Sequence, residues 1–120
     1  MHLGTNNFWN GYVAPASTLN DYTTIVGQLR AANPYVKIIV AQIIPLLYSA
    51  TTEQCTANLD AAIPAWRDSI TTTRSPVSVI DFETDFDPAF LAADLYHCHP
   101  DSAGAKWMAD NVYPLLASVL

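Results

Sequence analysis

Positive charge is scarce in this sequence, and long apolar runs are absent from it. Five of its 120 residues are Lys or Arg, against eleven Asp or Glu, which gives a net charge of −6. Binding to a phosphate backbone or an anionic membrane surface needs a clustered basic face, and these five residues are scattered. The longest apolar run, residues 38–47, is shorter than the ~18–20 residues that a membrane span requires. The composition therefore predicts no nucleic-acid partner and no membrane partner.

Cysteine is scarce as well, with Cys55 and Cys98 as the two examples. Abundant Thr, Ser, Asn and Ala with little Lys is typical of a secreted protein, in which the two cysteines can pair. Two buried free thiols are the alternative, because spacing alone does not establish a bridge. No basic start followed by an apolar stretch, as in a signal peptide, is visible at the N-terminus. The composition alone predicts a secreted, extracellular protein.

A motif for a nucleophilic serine is missing. No serine stands in Gly-x-Ser-x-Gly or in Gly-Asp-Ser, the settings in which hydrolases hold that residue. The serines fall in segments interpreted as caps, helices, loops or a strand: Ser17, Ser49, Ser69, Ser75, Ser78, Ser102 and Ser118. Serine chemistry therefore has no evident nucleophile among these residues.

What the sequence does contain is an alternation of strand-like and helix-like segments. Residues 1–3, 36–44 and 76–82 are interpreted as strands, and residues 36–44 alternate too little for a sheet with one wet face. Apolar residues at helical spacing follow each strand. The helix starts are predicted at Ser17 or Thr18, at Thr51 or Thr52, and near Asp101, and the first helix is expected to stop at Asn33-Pro34. Pro64 is expected to kink or divide the second helix, and Pro114 is expected to bend the last one.

The order β-α-β-α-β-α predicts an α/β fold in one domain spanning residues 1–120. Right-handed crossovers between the strands then produce a parallel sheet with helices on its faces. Ligands of such sheets bind beyond the carboxyl ends of the strands. The loop after Gly4, residues 42–45 and the acidic loop 83–99 each follow a strand end. All polar candidates therefore fall on one rim of the sheet.

Three residues on this rim have the chemistry of ester hydrolysis. Asn6 follows Gly4, which lets the backbone turn, and its amide is a candidate oxyanion donor, with an Asx turn as the alternative. His99 precedes Pro100 and a helix start, and is the candidate general base, with a packing role at that helix as the alternative. Asp94 is the candidate carboxylate that orients the base. The spacing Asp-x-x-His joins Asp94 to His97 instead, so His97 competes with His99.

Aromatic and acidic residues complete the candidate site. Phe8, Trp9 and Tyr12 lie near Asn6 in sequence and are expected either to wall an acyl or sugar pocket or to fill the edge of the core. Residues 81–87 are interpreted as a solvated acidic face, with a calcium site as the alternative. A metal site that uses both loop histidines is a further alternative, although His-x-His is a weak signal. The predicted substrate-contacting residues are Gly4, Phe8, Trp9 and His97.

Three short segments resemble parts of the SGNH (GDSL-type) hydrolases, a family of esterases and acetylesterases. Residues 2–7 are similar to the family's Gly-x-Asn-Asp block, with Asn6 in the place of the oxyanion asparagine and Asn7 in that of the aspartate. Residues 40–45 resemble the strand end that follows in carbohydrate acetyl esterases. His99-Pro100, with Gly104 beyond it, resembles the final block, in which the histidine is the base.

One spacing departs from the family's pattern. The acid normally lies three residues before the histidine, where this sequence has Tyr96, whereas Asp94 lies five residues before His99. Either the loop is reshaped or His97 takes the role of the base.

The resemblance implies a flavodoxin-like three-layer α/β/α sandwich with a parallel sheet, of which this chain is the C-terminal part. It implies hydrolysis of small acyl esters, acetyl groups on xylan or another polysaccharide among them, with no cofactor. The Gly-Asp-Ser block has no counterpart here, so we expect association with a complementary N-terminal fragment or with another copy. A noncatalytic binding or assembly module that retains the fold is the alternative.

Overall fold

The elements alternate between helices and strands along the chain. The structure, a computed structural model, describes residues 1–8 and 13–119. The main elements are α1 (Pro15–Ala32), β1 (Ile38–Ala41), α2 (Ala50–Ile70), β2 (Val77–Ile80) and α3 (Ser102–Val119). Two short 3₁₀ helices, Thr5–Phe8 and Pro88–Phe90, lie in the connecting loops. None of the helices within these described ranges is long and apolar enough to cross a bilayer.

The two strands form a parallel pair, as the sequence predicts. Ile38 lies opposite Val77, and the register continues to Ala41 opposite Ile80. Met1 runs along the other edge of β1, where its amino group donates to the Ile39 carbonyl and its own carbonyl accepts from the Ala41 amide. In a parallel sheet, one residue forms hydrogen bonds to two residues of the neighbouring strand that are two apart in sequence, as Met1 does here. Met1 thus takes the place of a third strand end.

The sheet is covered on both faces, because alternate residues of a strand point to opposite sides. Ile38 and Val40 face the larger core, which α1 and α2 complete with the buried side chains of Tyr22, Val26, Leu59, Ile63 and Trp66. Ile39 and Ala41 face the smaller core, to which α3 contributes Trp107, Met108, Val112 and Leu115. This arrangement of helices on either side of a parallel sheet confirms the predicted α/β layers.

The helix boundaries differ from the predicted ones for local reasons. The first helix begins at Pro15, whose fixed φ suits the first helical position, so that Ser17 and Thr18 lie inside its first turn. The second begins at Ala50, because the Ser49 side chain accepts from the Thr52 amide in a capping box.

Of the two outcomes expected for Pro64, a kink or a division of the helix, division does not occur. Pro64 lies within the continuous helix α2, and Pro114 lies within α3. Pro64 itself is exposed, while its neighbours Ile63 and Trp66 are buried in the larger core. Packing of that buried face offsets the hydrogen bond that the proline removes.

A buried carboxyl, that of Asp60 on α2, holds the chain just beyond β1. Its Oδ1 accepts from the Ile43 amide at 2.7 Å, while Oδ2 has no partner among the described residues. The side chain is 1% exposed. Burial raises the pKa of this carboxyl to about 8, the Ile43 amide acts in the opposite direction, and the charges of Glu83 and Asp81 raise it further.

The protonation of Asp60 makes stability depend on pH. Because its pKa is higher in the folded protein than in the unfolded chain, folding takes up a proton, and this contribution to stability is lost as pH rises from about 4 through about 8. Asp60→Asn retains an acceptor for Ile43 and cannot ionise. We expect its free energy of unfolding, measured in urea at several pH values, to vary less over this range than that of the wild type. Asp85→Asn, at an exposed carboxylate, should retain the wild-type slope; an unchanged slope in Asp60→Asn would contradict the assignment.

The start of α3 packs against the loop before it through a glycine. A Cβ on Gly104 would lie 2.7 Å from the Phe90 carbonyl oxygen and 3.0 Å from Pro100 Cβ. Because one of these contacts is to backbone, Gly104→Ala should displace the helix start and cost about 1–3 kcal/mol of stability. Gly27→Ala on α1 is the matched control, because nothing lies within 4 Å of its Cβ, and it should stabilise the protein by about 0.5–1 kcal/mol. Urea denaturation of both variants tests this, and equal effects would contradict it.

Candidate active site

A tight turn at Gly4 places Asn6 at the rim. Gly4 has a φ of 114°, and a Cβ there would lie 3.0 Å from Leu59 and 3.1 Å from Ile43, so both the conformation and the space favour glycine. The Asn7 amide donates to the Gly4 carbonyl at 2.9 Å, which closes the first turn of the 3₁₀ helix. Asn6 is the exposed residue in the middle of this turn.

Two side chains of α1 form hydrogen bonds to the segment that carries Asn6. The Tyr22 hydroxyl donates to the Leu3 carbonyl at 2.5 Å, and the side-chain amide of Asn7 donates to Thr18 Oγ1 at 3.1 Å. Burial raises the pKa of Tyr22 to about 12, the charge of Asp60 adds to this effect, and the bond to Leu3 opposes it. Tyr22 therefore remains a neutral donor, and the segment that carries Asn6 is fixed on the core.

A closed loop carries the acid and the two histidines. Leu91 and Pro100 form an antiparallel bridge, and the Ala92 amide donates to the His99 carbonyl at 2.8 Å. Within the loop, Asp94 Oδ1 accepts from the amides of Tyr96 at 3.0 Å and His97 at 2.7 Å. These bonds make an Asx turn that leaves Oδ2 for a different partner.

That partner is the imidazole of His99. Asp94 Oδ2 lies 2.5 Å from His99 Nδ1, so the reshaped loop brings together residues five apart in sequence. His97 contributes its backbone instead: its φ is 43°, its amide binds Asp94, and its carbonyl accepts from the Leu47 amide at 3.2 Å. The left-handed backbone at His97 turns the chain back so that His99 faces the carboxylate.

The electrostatics of the pair favour a histidine oriented as a base. The hydrogen bond from His99 lowers the pKa of Asp94, burial opposes it, and the amides of His97 and Tyr96 lower it further. An ionised carboxylate can only accept hydrogen bonds, so the proton between the two groups belongs to Nδ1 of the imidazole. In the neutral ring Nε2 then carries the lone pair and can accept a proton.

Asn6 and His99 line the same cavities. One has a volume of about 420 Å³ and is lined by Asn6, Tyr48, Tyr96 and His99. A neighbouring cavity of about 260 Å³ includes both residues with His2, Thr5, Ile44, Cys98, Pro100 and Met108. The amide from the first rim loop and the imidazole from the last thus face common space, as expected of loops that follow parallel strands.

The other predicted site residues lie elsewhere. Phe8 is fully buried in the larger core, so the expectation that it walls the pocket does not hold, because the 3₁₀ turn directs its ring inward. Gly4 lines a separate cavity of about 420 Å³ beside α1, which Asn6 also lines. Trp9 and Tyr12 lie outside the described residues. Sequence reasoning missed Tyr48 and Tyr96 as lining residues, although Tyr96 lies in the acidic loop that was predicted to reach the rim.

The remaining candidates are the cysteines, the acidic run and the serines. Cys55 and Cys98 are both buried as free thiols, and burial, together with the charge of Asp94, raises the pKa of Cys98. Asp81 accepts from the amides of Glu83 and Thr84 in an Asx turn. Across residues 1–8 and 13–119, no group of three or more His, Cys, Asp or Glu is placed to hold a metal ion. No described serine lines either cavity that contains His99.

Comparison with known proteins identifies the family of the chain. The family model of the GDSL-like lipase/acylhydrolases matches residues 1–107. A search of curated proteins found no significant match. Among solved structures, a mutant acetyl esterase crystallised with an acetate ion superposes with a TM-score of 0.87 at 34% identity, covering 98% of this chain and 55% of that one. A carbohydrate esterase of family 3 from Talaromyces cellulolyticus gives 0.85 at 36% identity, with 98% and 56% covered.

This chain therefore spans about half the length of the solved relatives. Their likeness agrees with the flavodoxin-like layers seen here, of which the chain has a part. With most of its length matched by the family model, the chain belongs to the GDSL-like lipase/acylhydrolase family.

Proposed function

We propose that this chain is the part of a serine esterase that supplies the oxyanion donor and the general base. In this proposal Asn6 donates to the oxyanion, His99 is the base, and Asp94 orients it. The observation that carries the proposal is the 2.5 Å contact between Asp94 Oδ2 and His99 Nδ1, on an imidazole that shares a cavity with Asn6. An amide and an oriented imidazole facing one space are two of the groups that acyl transfer needs.

The proposed reaction is transfer of the acyl group to a serine, followed by hydrolysis of the acyl-enzyme. A serine hydroxyl attacks the ester carbonyl while His99 Nε2 takes its proton, and Asp94 stabilises the imidazolium that forms. The Asn6 amide donates to the oxygen that becomes negative. Collapse of the intermediate releases the alcohol, which takes the proton from His99. Water then attacks the acyl-enzyme with His99 as base again, and the acid is released.

The proposal places the nucleophilic serine outside residues 1–120. His99 supports this, because its side chain is 64% exposed and no described serine lines its cavities. A complementary N-terminal fragment would supply the missing serine and cover the imidazole, whereas a second copy of this chain would cover the imidazole alone. In an acylation site that excludes water, the interaction of oxyanion and imidazolium with their partners is stronger.

Small acyl esters, acetyl esters first, are the proposed substrates. The cavity of about 260 Å³ beside Asn6 and His99 is small and is lined in part by Ile44 and Met108. The similar structures are an acetyl esterase and a carbohydrate esterase, so we extend the proposal to acetyl groups on polysaccharides such as xylan.

Binding of the product tests the two groups in the chain as it is. Acetate should perturb the side-chain resonances of Asn6 and His99 in NMR titrations, because the amide and a protonated imidazole both donate to a carboxylate. Asn6→Ala and His99→Gln should each weaken this binding severalfold. Asn111→Ala, at an exposed amide on α3, should leave it unchanged. Acetate shifts confined to other residues would contradict the proposal.

Labelling tests the position of the nucleophile. A serine-directed fluorophosphonate should leave the isolated chain unmodified, and nitrophenyl acetate should not be turned over above the buffer rate. In an assembly with a complementary fragment that restores turnover, Asn6→Ala should lower the rate by ~10²–10³. A stoichiometric label on a serine of this chain would overturn the external nucleophile. A restored activity that is indifferent to Asn6 and His99 would overturn the roles of both residues.

A further inference from the structure

The exit loop, residues 42–49, leads from β1 to α2 and is held at its start by Asp60. The Gln42 side chain donates to the Asp60 carbonyl at 3.0 Å, and the Ile43 amide donates to Oδ1 of the Asp60 carboxyl at 2.7 Å. Two successive residues of the loop are therefore bound to one residue of α2. The proposed chemistry does not use Asp60, which lines neither of the cavities that contain His99.

The exit loop also contacts the loop that carries the base. The Leu47 amide donates to the His97 carbonyl at 3.2 Å, and His97 belongs to the turn in which Asp94 orients the imidazole. Ile44, which is 2% exposed, lines the cavity of about 260 Å³ that also contains His99. Because packed elements do not deform freely, a displacement of the exit loop changes both the turn around the acid and the wall of this cavity.

The Asp60 carboxyl fits its surroundings only while it is neutral. It is 1% exposed, and Oδ2 has no partner among the described residues. A buried hydroxyl without a partner costs far less free energy than a buried charge without one. Burial raises the pKa of this carboxyl to about 8, the Ile43 amide acts in the opposite direction, and the charges of Glu83 and Asp81 raise it further.

The groups that face the carboxyl do not stabilise its charge. The first helix contributes Tyr22, whose hydroxyl donates to Leu3, and the loop after β2 contributes the carboxylates of Asp81 and Glu83. Residues 42–47 of the exit loop have no titratable side chain. The same holds for the positions one turn away on α2, which are Thr56, Ala57, Ile63 and Pro64. With these neighbours, a charged Oδ2 is stabilised by water, which reaches it when the exit loop moves away from α2.

We propose that Asp60 is a positioning residue of the candidate active site. Its neutral carboxyl keeps the exit loop against α2, and the exit loop keeps the turn of Asp94 in the shape that orients His99. Ionisation of Asp60 hydrates the carboxylate, loosens the exit loop and weakens the orientation of the imidazole. The consequence for catalysis, a loss of rate in alkaline solution, rests on the proposed esterase function.

The tautomer of His99 above neutral pH tests this role. In the wild type, the ratio of Nδ1–H to Nε2–H in the neutral ring should fall about 2- to 30-fold as pH rises through about 8, as read from nitrogen chemical shifts. In Asp60→Asn, which keeps an acceptor for Ile43 and cannot ionise, the ratio should stay constant over the same range. Asp85→Asn, at an exposed carboxylate, is the matched control and should follow the wild type. A carboxyl that only stabilises the fold would not change this ratio.

A second measurement uses the wild type alone and does not depend on the folding of a variant. The carboxyl carbon shift of Asp60, the amide shift of Leu47 and the tautomer ratio of His99 should change with one common midpoint. Different midpoints for Asp60 and His99, or a ratio that falls equally in Asp60→Asn, would overturn the positioning role. Either result would assign the change to another group, such as the Met1 amino group or the Cys98 thiol.

Acetate distinguishes failure of the positioning role from failure of the esterase. Suppose that acetate perturbs Asn6 and His99 at about pH 6, where Asp60 is neutral, while the tautomer ratio is independent of Asp60. The positioning role is then overturned and the esterase proposal stands. If the ratio follows the ionisation of Asp60 while acetate shifts are confined to other residues, the positioning role stands and the esterase proposal falls.

Discussion

The candidate site depends on the hydrogen bonds that the carboxylate of Asp94 accepts. One of its oxygens closes the turn through the amides of Tyr96 and His97, and the other binds His99 Nδ1. The same side chain therefore shapes the loop and orients the imidazole. A carboxylate that accepts several hydrogen bonds is favoured in its charged form, which agrees with the lowered pKa of Asp94. Acid weakens this arrangement, since protonation of the carboxyl removes acceptors from the turn and from the imidazole.

Two glycines and one buried acid fit the loops to the sheet. Gly4 permits the left-handed turn that precedes Asn6, and Gly104 lets α3 approach the loop at Phe90. Asp60 holds the Ile43 amide, where the chain leaves β1 for the loop that carries Tyr48. All three act at the carboxyl end of the sheet, where they fix the loops of the rim to the core.

Much of the fold could be predicted from the sequence, because periodicity reports which face of an element is buried. The β-branched segments around Ile38 and Val77 predicted parallel strands, and both faces of the pair are covered. The strand lengths could not be predicted, since pairing ends where a neighbour ends, and β1 and β2 pair over four residues each. Whether Pro64 divides its helix could not be predicted, because the local cost of the proline is visible in the sequence, whereas the packing of its neighbours is not.

The candidate site, like the fold, could be predicted only in part from the sequence. The sequence placed Asn6, Asp94 and His99 on one rim, but it could not choose between two histidines two residues apart. That choice depends on a left-handed residue, His97, and on backbone amides that use one oxygen of Asp94. Phe8 lies two residues from Asn6 yet points into the core, because a 3₁₀ turn separates neighbours onto different sides. The position of Tyr48 in the cavity depends on which loops meet in the fold, which the sequence does not show.

The tautomer of His99 is the most direct test of the account. Nitrogen chemical shifts of the neutral imidazole should show the proton on Nδ1 and the lone pair on Nε2, and this preference should weaken in Asp94→Asn. A neutral ring with its proton on Nε2, or a tautomer unaffected by the substitution, would contradict the claim that Asp94 orients a general base.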